Sequence, residues 1–264
     1  GGGARISNLA PAVETVAGAR ARGALAGVEL HNVTAMALSG DEETLFYAEA
    51  FRAAEFQVDE VTTRFDVPYA ALRALSLSDG TVTTLHAPVV GGPLTLVNDM
   101  ALVNGTLHMT VMDGNDILFG EPRLMALELG SGELRLTAGG LKGYDDGVGA
   151  AAKMFGPEGL ATSRAGDVLY FADALNSNVR RVTLPAGNVT TLAGKYLPGT
   201  IDLAALTAFG IPRDGVGTSA VFGRPQAVAL SEDEETLYIA DMSGSLLRQL
   251  HIRTRAVTTL VGNP

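Results

Sequence analysis

Residues 154–194 read MFGPEGLATSRAGDVLYFADALNSNVRRVTLPAGNVTTLAG, and residues 221–262 repeat the pattern as VFGRPQAVALSEDEETLYIADMSGSLLRQLHIRTRAVTTLVG. Each segment opens with an aromatic residue and a proline, passes through Leu-Tyr-x-Ala-Asp, and ends in Val-Thr-Thr-Leu-x-Gly. A diverged copy begins with TAMALSGDEETLFYAEA at 34–50, and another begins with NDMAL at 98–102. Such self-similarity is the signature of a repeat architecture.

Every repeat contains four short stretches of β-branched, aromatic and aliphatic residues, separated by turn signals such as Ser78-Asp79-Gly80. This spacing predicts a four-stranded antiparallel meander. Tandem meanders that pack face to face are typical of a β-propeller. The sequence therefore predicts an all-β fold with four complete blades, at about 28–87, 94–140, 150–194 and 220–262.

The N-terminal residues resemble the last two strands of a further blade. The segment VETVAG at 13–18 ends as a repeat does, yet nothing before it resembles the first two strands. We therefore predict a half-blade at residues 1–18 within a single propeller domain spanning 1–264. Since an exposed, unpaired edge is poorly tolerated, we expect a piece of a longer polypeptide, a second chain that completes the propeller, or an open ring.

Composition excludes several classes of function. The formal net charge of −10 argues against nucleic acid as a partner, because phosphate binding requires clustered Lys and Arg. Without cysteine, the chain has no disulfide, thiolate zinc site or catalytic thiol. No apolar run approaches the length of a membrane span, so we expect none.

The third and fourth repeats resemble NHL repeats. The resemblance rests on Asp146-Gly-Val-Gly, the following Phe155-Gly-Pro, and the Ala-Asp stretch ending at Asp173 with Asn178-Val-Arg after it. A second Asp-Gly-Val-Gly begins at Asp214, whereas the repeat at 94–140 lacks these features. Because NHL-like propellers are commonly interaction modules, the resemblance implies a non-catalytic scaffold that binds a protein or peptide.

Two long insertions fall in connections on the rim where the inner strands begin. They are residues 51–71 and 195–218. Long loops on a rigid scaffold often carry binding, and the first insertion includes Phe51, Phe56 and Phe65. We predict that these aromatics form a partner-binding arm; in the alternative interpretation, they pack on their own blade.

Polar residues recur at the first positions of the inner strands. Alignment of the repeats places Thr34, Asn98, Glu158 and Gln226 in one equivalent position, with Asp99 beside them. We expect them to ring the mouth of a central channel and to bind the basic or neutral partner that an acidic to neutral rim favours. The alternative is a solvated channel lining.

Carboxylates at the ends of the second strands return to the same rim. Glu49 and Asp241 hold these positions together with Asp173, and converging carboxylates suit Ca²⁺ or acid and base chemistry. A metal site at Glu49, Glu158 and Asp241 is therefore one hypothesis. The other is that Asp173 and Asp241 accept hydrogen bonds from nearby backbone N–H groups.

The alternative function is enzymatic. The segment Val97-Asn-Asp-Met-Ala-Leu is similar to strand beginnings in gluconolactonase and strictosidine synthase-like propellers, which implies a metal-dependent hydrolase or lyase. That resemblance implies that the residues in contact with the metal or the substrate are Glu49, Asn98, Asp99, Glu158 and Asp241. A third reading is a structural component of a larger assembly.

Three Asn-x-Thr sequons begin at Asn32, Asn104 and Asn188. They exceed what chance gives for so few asparagines, and they favour glycosylation and an extracellular or secretory-pathway location. Ordinary strand and turn composition is the alternative explanation.

Overall fold

The structure is a computed structural model that describes residues 32–53, 67–88, 93–112, 120–195 and 211–262. The predicted half-blade at 1–18 lies outside these residues. The described chain is an all-β structure in which short strands follow one another as antiparallel meanders. The prediction of an all-β fold built from four-stranded antiparallel units is confirmed.

Four antiparallel sheets follow one another along the described chain. Sheet 1 contains β1 (Val33–Leu38), β2 (Thr44–Ala53), β3 (Val67–Ser76) and β4 (Val82–His86). Sheet 2 contains β5 (Leu96–Val103), β6 (Thr106–Met112), β7 (Pro122–Glu128) and β8 (Leu134–Gly139). Sheet 3 contains β12 (Pro157–Thr162), β13 (Val168–Asp173), β14 (Asn178–Thr183) and β15 (Asn188–Ala193). Sheet 4 contains β17 (Pro225–Leu230), β18 (Thr236–Asp241), β19 (Leu246–His251) and β20 (Ala256–Val261).

Short elements link the sheets. The strands β10 (Gly147–Val148) and β16 (Gly215–Val216) pair with the outer strands of sheets 3 and 4, and β9 (Leu141–Lys142) pairs in parallel with β11 (Lys153–Met154). Single 3₁₀ turns lie at Gly149–Ala151, Ala174–Asn176, Gly217–Ser219 and Met242–Gly244. The repeat pattern predicted four strands for each unit, so the fifth strand of sheets 3 and 4 is an addition.

The first strands of consecutive sheets pack side by side in the order β1, β5, β12, β17. Small residues make this close approach feasible. A Cβ on Gly159 would lie 2.6 Å from the Cα of Ala227 and 2.7 Å from the carbonyl oxygen of Gln226. Since any side chain would collide with backbone there, glycine is required, and β12 and β17 meet backbone to backbone.

Apolar residues fill the space between neighbouring sheets. Phe46, Leu72 and Val97 belong to the cluster between sheets 1 and 2, while Leu160 and Phe171 belong to the one between sheets 2 and 3. A third cluster joins sheets 3 and 4. The strands of the two inner sheets, 2 and 3, thus contribute to clusters on both of their faces, as expected for sheets stacked face to face.

A buried arginine ties together the parts of sheet 3. Arg180 is fully buried; its Nη1 lies 3.0 Å from Asp173 Oδ2, and its Nη2 lies 2.9 Å from Asp146 Oδ1. Asp173 also accepts a hydrogen bond from the backbone N–H of Phe155 at 2.7 Å, and Asp146 accepts one from that of Thr191 at 3.1 Å. The arginine therefore joins the second strand, the third strand, the outer strand and the Asp-Gly turn.

The same position differs among the sheets. Sheet 4 repeats the arrangement with Arg248 between Asp241 at 3.3 Å and Asp214 at 3.0 Å. In sheet 2, the strand register places Val111 and Met125 at the equivalent positions, and both are buried. The same structural position thus holds a buried ion pair in sheets 3 and 4 and an apolar pair in sheet 2. This exchange is physically reasonable, because replacing a buried ion pair by well-packed apolar residues often costs little stability.

We predict that Asp173→Val lowers the free energy of unfolding by about 3–5 kcal/mol, because it leaves Arg180 charged and buried without its partner. The double variant Asp173→Val/Arg180→Met copies the Val111–Met125 pair and is expected to recover part of the loss. Urea unfolding followed by circular dichroism measures both. Asp145→Ala is the control, because its pair with Lys153 is exposed and exposed ion pairs contribute little to stability. A double variant no more stable than the single variant would contradict this account.

His108 gives a pH dependence with a defined sign. Burial lowers the pKa of His108 from 6.5 to about 4; nearby Arg135 lowers it further, while Glu128 opposes both. The unfolded chain therefore binds the proton more tightly, and stability is lost as the pH falls from about 6.5 towards 4. Between pH 7 and pH 5 the contribution of His108 to this loss is about 2 kcal/mol.

We expect His108→Phe, which copies Phe46 at the equivalent position of sheet 1, to remove that contribution. Urea unfolding of both proteins at the two pH values isolates it, because the other titrating groups are shared. An identical pH dependence in the two proteins would show that His108 does not titrate as described.

Candidate functional site

The first residues of three inner strands line one depression. Asn98 and Asp99 come from β5, Glu158 and Gly159 from β12, and Gln226 with Ala227 from β17. Its volume is about 340 Å³. The residues converge because the inner strands lie side by side and begin at the same rim.

A β-bulge aims each of these side chains. The strand register shifts between Val97 and Asp99, between Pro157 and Leu160, and between Pro225 and Ala227, so Asn98, Glu158 and Gln226 lie within irregular positions. A similar shift in β1 encloses Thr34. Bulges locally kink a strand and redirect its side chains. Four of the five residues predicted for the channel mouth thus line the depression, whereas Thr34 occupies the equivalent place in β1 without lining it.

Glu158 is neutralised by an arginine of the next sheet. Its Oε1 lies 2.8 Å from Nη2 of Arg224, and both side chains are largely buried. The backbone carbonyl of Glu158 accepts a hydrogen bond from Thr110 Oγ1 at 2.6 Å. The repeat alignment missed Arg224 and Thr110, because neither occupies the shared inner-strand position that the alignment singled out.

Asp99 connects sheets 2 and 3. Its Oδ1 accepts the backbone N–H of Met100 and its Oδ2 accepts that of Leu160, each at 2.8 Å. Burial raises the pKa of Asp99, and these two hydrogen bonds oppose the rise. Both carboxylate oxygens therefore serve the backbone, including the N–H of Leu160 next to the bulge.

Asn98 and Gln226 complete the polar lining. The amide nitrogen of Asn98 donates to the carbonyl of Pro157 at 2.8 Å, which fixes the side chain against sheet 3. Gln226 is exposed. The depression therefore presents one fixed amide, one exposed amide and a carboxylate paired with a guanidinium.

The carboxylates at the ends of the second strands each have an arginine partner in their own sheet. Glu49 lies 2.6 Å from Arg73, and Asp173 and Asp241 pair with Arg180 and Arg248. Asp241 also accepts the backbone N–H groups of Gly223 and Arg224 at 2.9 and 2.7 Å. Asp173 and Asp241 are thus buried, and each accepts hydrogen bonds from the backbone as well as from its arginine.

The metal hypothesis finds no matching geometry in this part of the chain. Within the ranges that the structure describes, no three His, Asp or Glu side chains come together as a group that could hold an ion. Glu49, Glu158 and Asp241 instead belong to three separate ion pairs. These residues do not fit a Ca²⁺ site, and we derive no reaction step through a metal.

The predicted insertions are described only in part. Residues 51–53 belong to strand β2 and residues 67–71 to strand β3, and the rings of Phe51 and Tyr69 stack with centroids 5.5 Å apart. Phe51 therefore packs on its own sheet, as in the alternative interpretation. Phe56, Phe65 and residues 196–210 lie outside the described residues.

The three sequon asparagines are exposed, but their environments differ. Asn32 and Asn104 have positive φ angles of 44° and 49°. The amide nitrogen of Asn104 donates to the carbonyl of Ala165 at 2.8 Å, a bond that an attached glycan would disturb. Asn188 begins β15, and glycosylation at all three stays a prediction.

In the part of the chain described, no helix combines the length and apolarity needed to cross a membrane.

No protein-family model matches the chain. Among curated proteins, NHL repeat-containing protein 2 of Homo sapiens is 30% identical over 115 residues, which cover 44% of this chain and 14% of that protein. Its Bos taurus counterpart is 28% identical over 113 residues, with 43% and 14% coverage. The chain therefore matches only a small part of these relatives.

Solved structures extend the likeness to almost the whole chain. An auxiliary nutrient binding protein from Bacteroides ovatus superposes with a TM-score of 0.58 and 17% identity, covering 90% of this chain and 50% of that one. A luciferin-regenerating enzyme gives a TM-score of 0.50 and 13% identity, covering 88% and 76%. At these identities the likeness concerns the fold alone. The chain is thus similar to NHL-repeat proteins in sequence and to propeller-like proteins in fold.

Proposed function

We propose that this chain is a non-catalytic binding module that holds a protein segment or peptide at the depression formed by Asn98, Asp99, Glu158 and Gln226. The observation that carries the proposal is the state of the two carboxylates there. Glu158 pairs with Arg224, and both oxygens of Asp99 accept backbone N–H groups. A general base needs a carboxylate that can reach a substrate proton, and both of these are already engaged.

The lining suits a peptide. Gln226 offers an amide that both donates and accepts hydrogen bonds, the two groups that each unpaired peptide unit also provides. Glu158 and Arg224 together carry no net charge, so a neutral or weakly basic segment meets little repulsion. The rim is rigid because the polar side chains beside Gln226 are held by neighbouring strands, and a preorganised site loses less entropy on binding.

The similar proteins are compatible with either class of function. One is named as a nutrient binding protein and another as a luciferin-regenerating enzyme. The fold supports both, and the choice therefore depends on the side chains at the mouth. A structural role in a larger assembly is compatible with the same peptide-binding surface.

Selection from a random-peptide phage library against the whole chain tests the proposal. We expect enriched peptides to lose binding to Gln226→Arg, because the new cation fills the depression and competes for Glu158. Asn188→Arg is the matched control, since it adds the same charge at an exposed position on the outer strand of sheet 3. Peptides that bind Gln226→Arg as well as the wild type would reject the site.

A calcium titration separates binding from metal-dependent catalysis. If the carboxylates at the mouth are engaged as described, Ca²⁺ should change the melting temperature of the wild type and of Glu158→Ala by the same amount. A ligand that binds only the folded state raises the melting temperature. A rise that disappears in Glu158→Ala would therefore favour the metal enzyme over the proposed module.

A further inference from the structure

Sheet 4 has one apolar face that no other described sheet covers. Tyr238, Leu247 and Leu260 lie on β18, β19 and β20, with 41%, 40% and 43% of their surface exposed. Exposed Ala240 belongs to the same face. The opposite face, with Leu237, Ile239 and Leu250, is buried in the cluster shared with sheet 3.

The other sheets bury the same positions. Strand register aligns Tyr238 with Phe46, His108 and Tyr170, which are only 3–7% exposed. It aligns Leu247 with Leu72, Leu124 and Val179, which are at most 1% exposed. In sheets 1, 2 and 3, these side chains pack against the next sheet along the chain. Sheet 4 therefore carries the side chains of an interface that none of the sheets in the described ranges covers.

Sheet 1 carries the complementary feature. Met36 on β1 aligns with Met100, Leu160 and Val228, which are buried and pack towards the preceding sheet; Met36 itself is 57% exposed. Val82 on β4 is exposed as well, whereas Val189 and Val257 at its position in sheets 3 and 4 are buried. On its inner and outer strands, sheet 1 thus exposes apolar side chains whose counterparts in the later sheets named above are buried against the preceding sheet.

From these two faces we infer that a second copy of this chain docks head to tail, with the exposed face of sheet 4 against the exposed face of sheet 1 of the other copy. The contact continues the type of interface that joins each pair of consecutive sheets within the chain. Tyr238, Leu247, Leu260, Met36 and Val82 are all uncharged. On the same face of sheet 1, Arg73 is paired with Glu49 at 2.6 Å. On that of sheet 4, Gln249 donates a hydrogen bond to Thr258. The contact therefore buries apolar surface while the charge of Arg73 keeps its partner. Head-to-tail contacts of this kind build either a closed ring or an open filament.

Sedimentation equilibrium of the whole chain over a concentration series tests the inference. As the concentration rises, the mass of the wild-type assembly should reach that of two or more chains. Leu260→Glu and Met36→Glu should each prevent this assembly and leave at most weak association, because each places a carboxylate on one of the two contacting faces. Leu141→Glu is the control, since Leu141 is also 57% exposed but lies on β9, away from both faces.

An equimolar mixture of Leu260→Glu and Met36→Glu distinguishes head-to-tail docking from other modes. One variant keeps sheet 1 intact and the other keeps sheet 4 intact, so the mixture should recover a dimer through a single contact. The inference is overturned if the wild type stays monomeric, if Met36→Glu associates like the wild type, or if the mixture does not associate. Circular dichroism verifies folding, and Tyr238→Lys with Val82→Lys repeats the test should either glutamate variant unfold.

This inference and the proposed function fail independently. Gln226 borders the exposed face of sheet 4, where it lines a depression with Leu247 and Val261. Peptide capture is therefore compared in Met36→Glu, because Met36 lies on sheet 1. Capture by this variant should equal that of the wild type at concentrations where the wild type is monomeric.

Discussion

The backbone-to-backbone approach of the inner strands is the constraint on which the other features depend. Gly159 lies so close to Ala227 that a Cβ would collide with the backbone, and this closeness sets the first strands of successive sheets side by side. Since those strands begin at one rim, their bulges bring Asn98, Glu158 and Gln226 into a single depression. A larger residue at position 159 would separate the sheets and therefore the lining of the site.

The sequence predicts the elements that depend on local pattern. Alternating apolar residues and turn signals identify the strands, and alignment of the repeats identifies the shared position of Asn98, Glu158 and Gln226. The pattern does not reveal that each of these residues lies at a bulge, because a bulge depends on pairing with the second strand. Nor does it reveal Arg224 beside Glu158, because that pair joins neighbouring sheets. The sequence predicts that Phe51 lies in an insertion, whereas in the structure its pairing with Tyr69 extends both strands into that segment.

The divergence of sheet 2 has a physical explanation in the buried arginine. Arg180 and Arg248 each need two carboxylates, one at the end of the second strand and one in the Asp-Gly turn. Val111 and Met125 fill the equivalent space without charges to satisfy. Once the arginine is replaced by an apolar residue, the Asp-Gly turn loses its partner, which explains why the second repeat lacks both features at once.

Conformity to the repeat and burial are separate properties in this chain. Sheet 4 retains the NHL-like pattern closely, yet Tyr238 and Leu247 are exposed where Tyr170 and Val179 are buried. The residue types at these positions follow the repeat, and only the presence of a following sheet decides whether they are covered. An apolar side chain at an interface position stabilises the structure only when that interface forms, because the gain comes from the apolar area removed from water. In the described residues, the interface positions of sheets 2 and 3 are buried and contribute this stabilisation, whereas those on one face of sheet 1 and one face of sheet 4 contribute it only when a neighbour covers them.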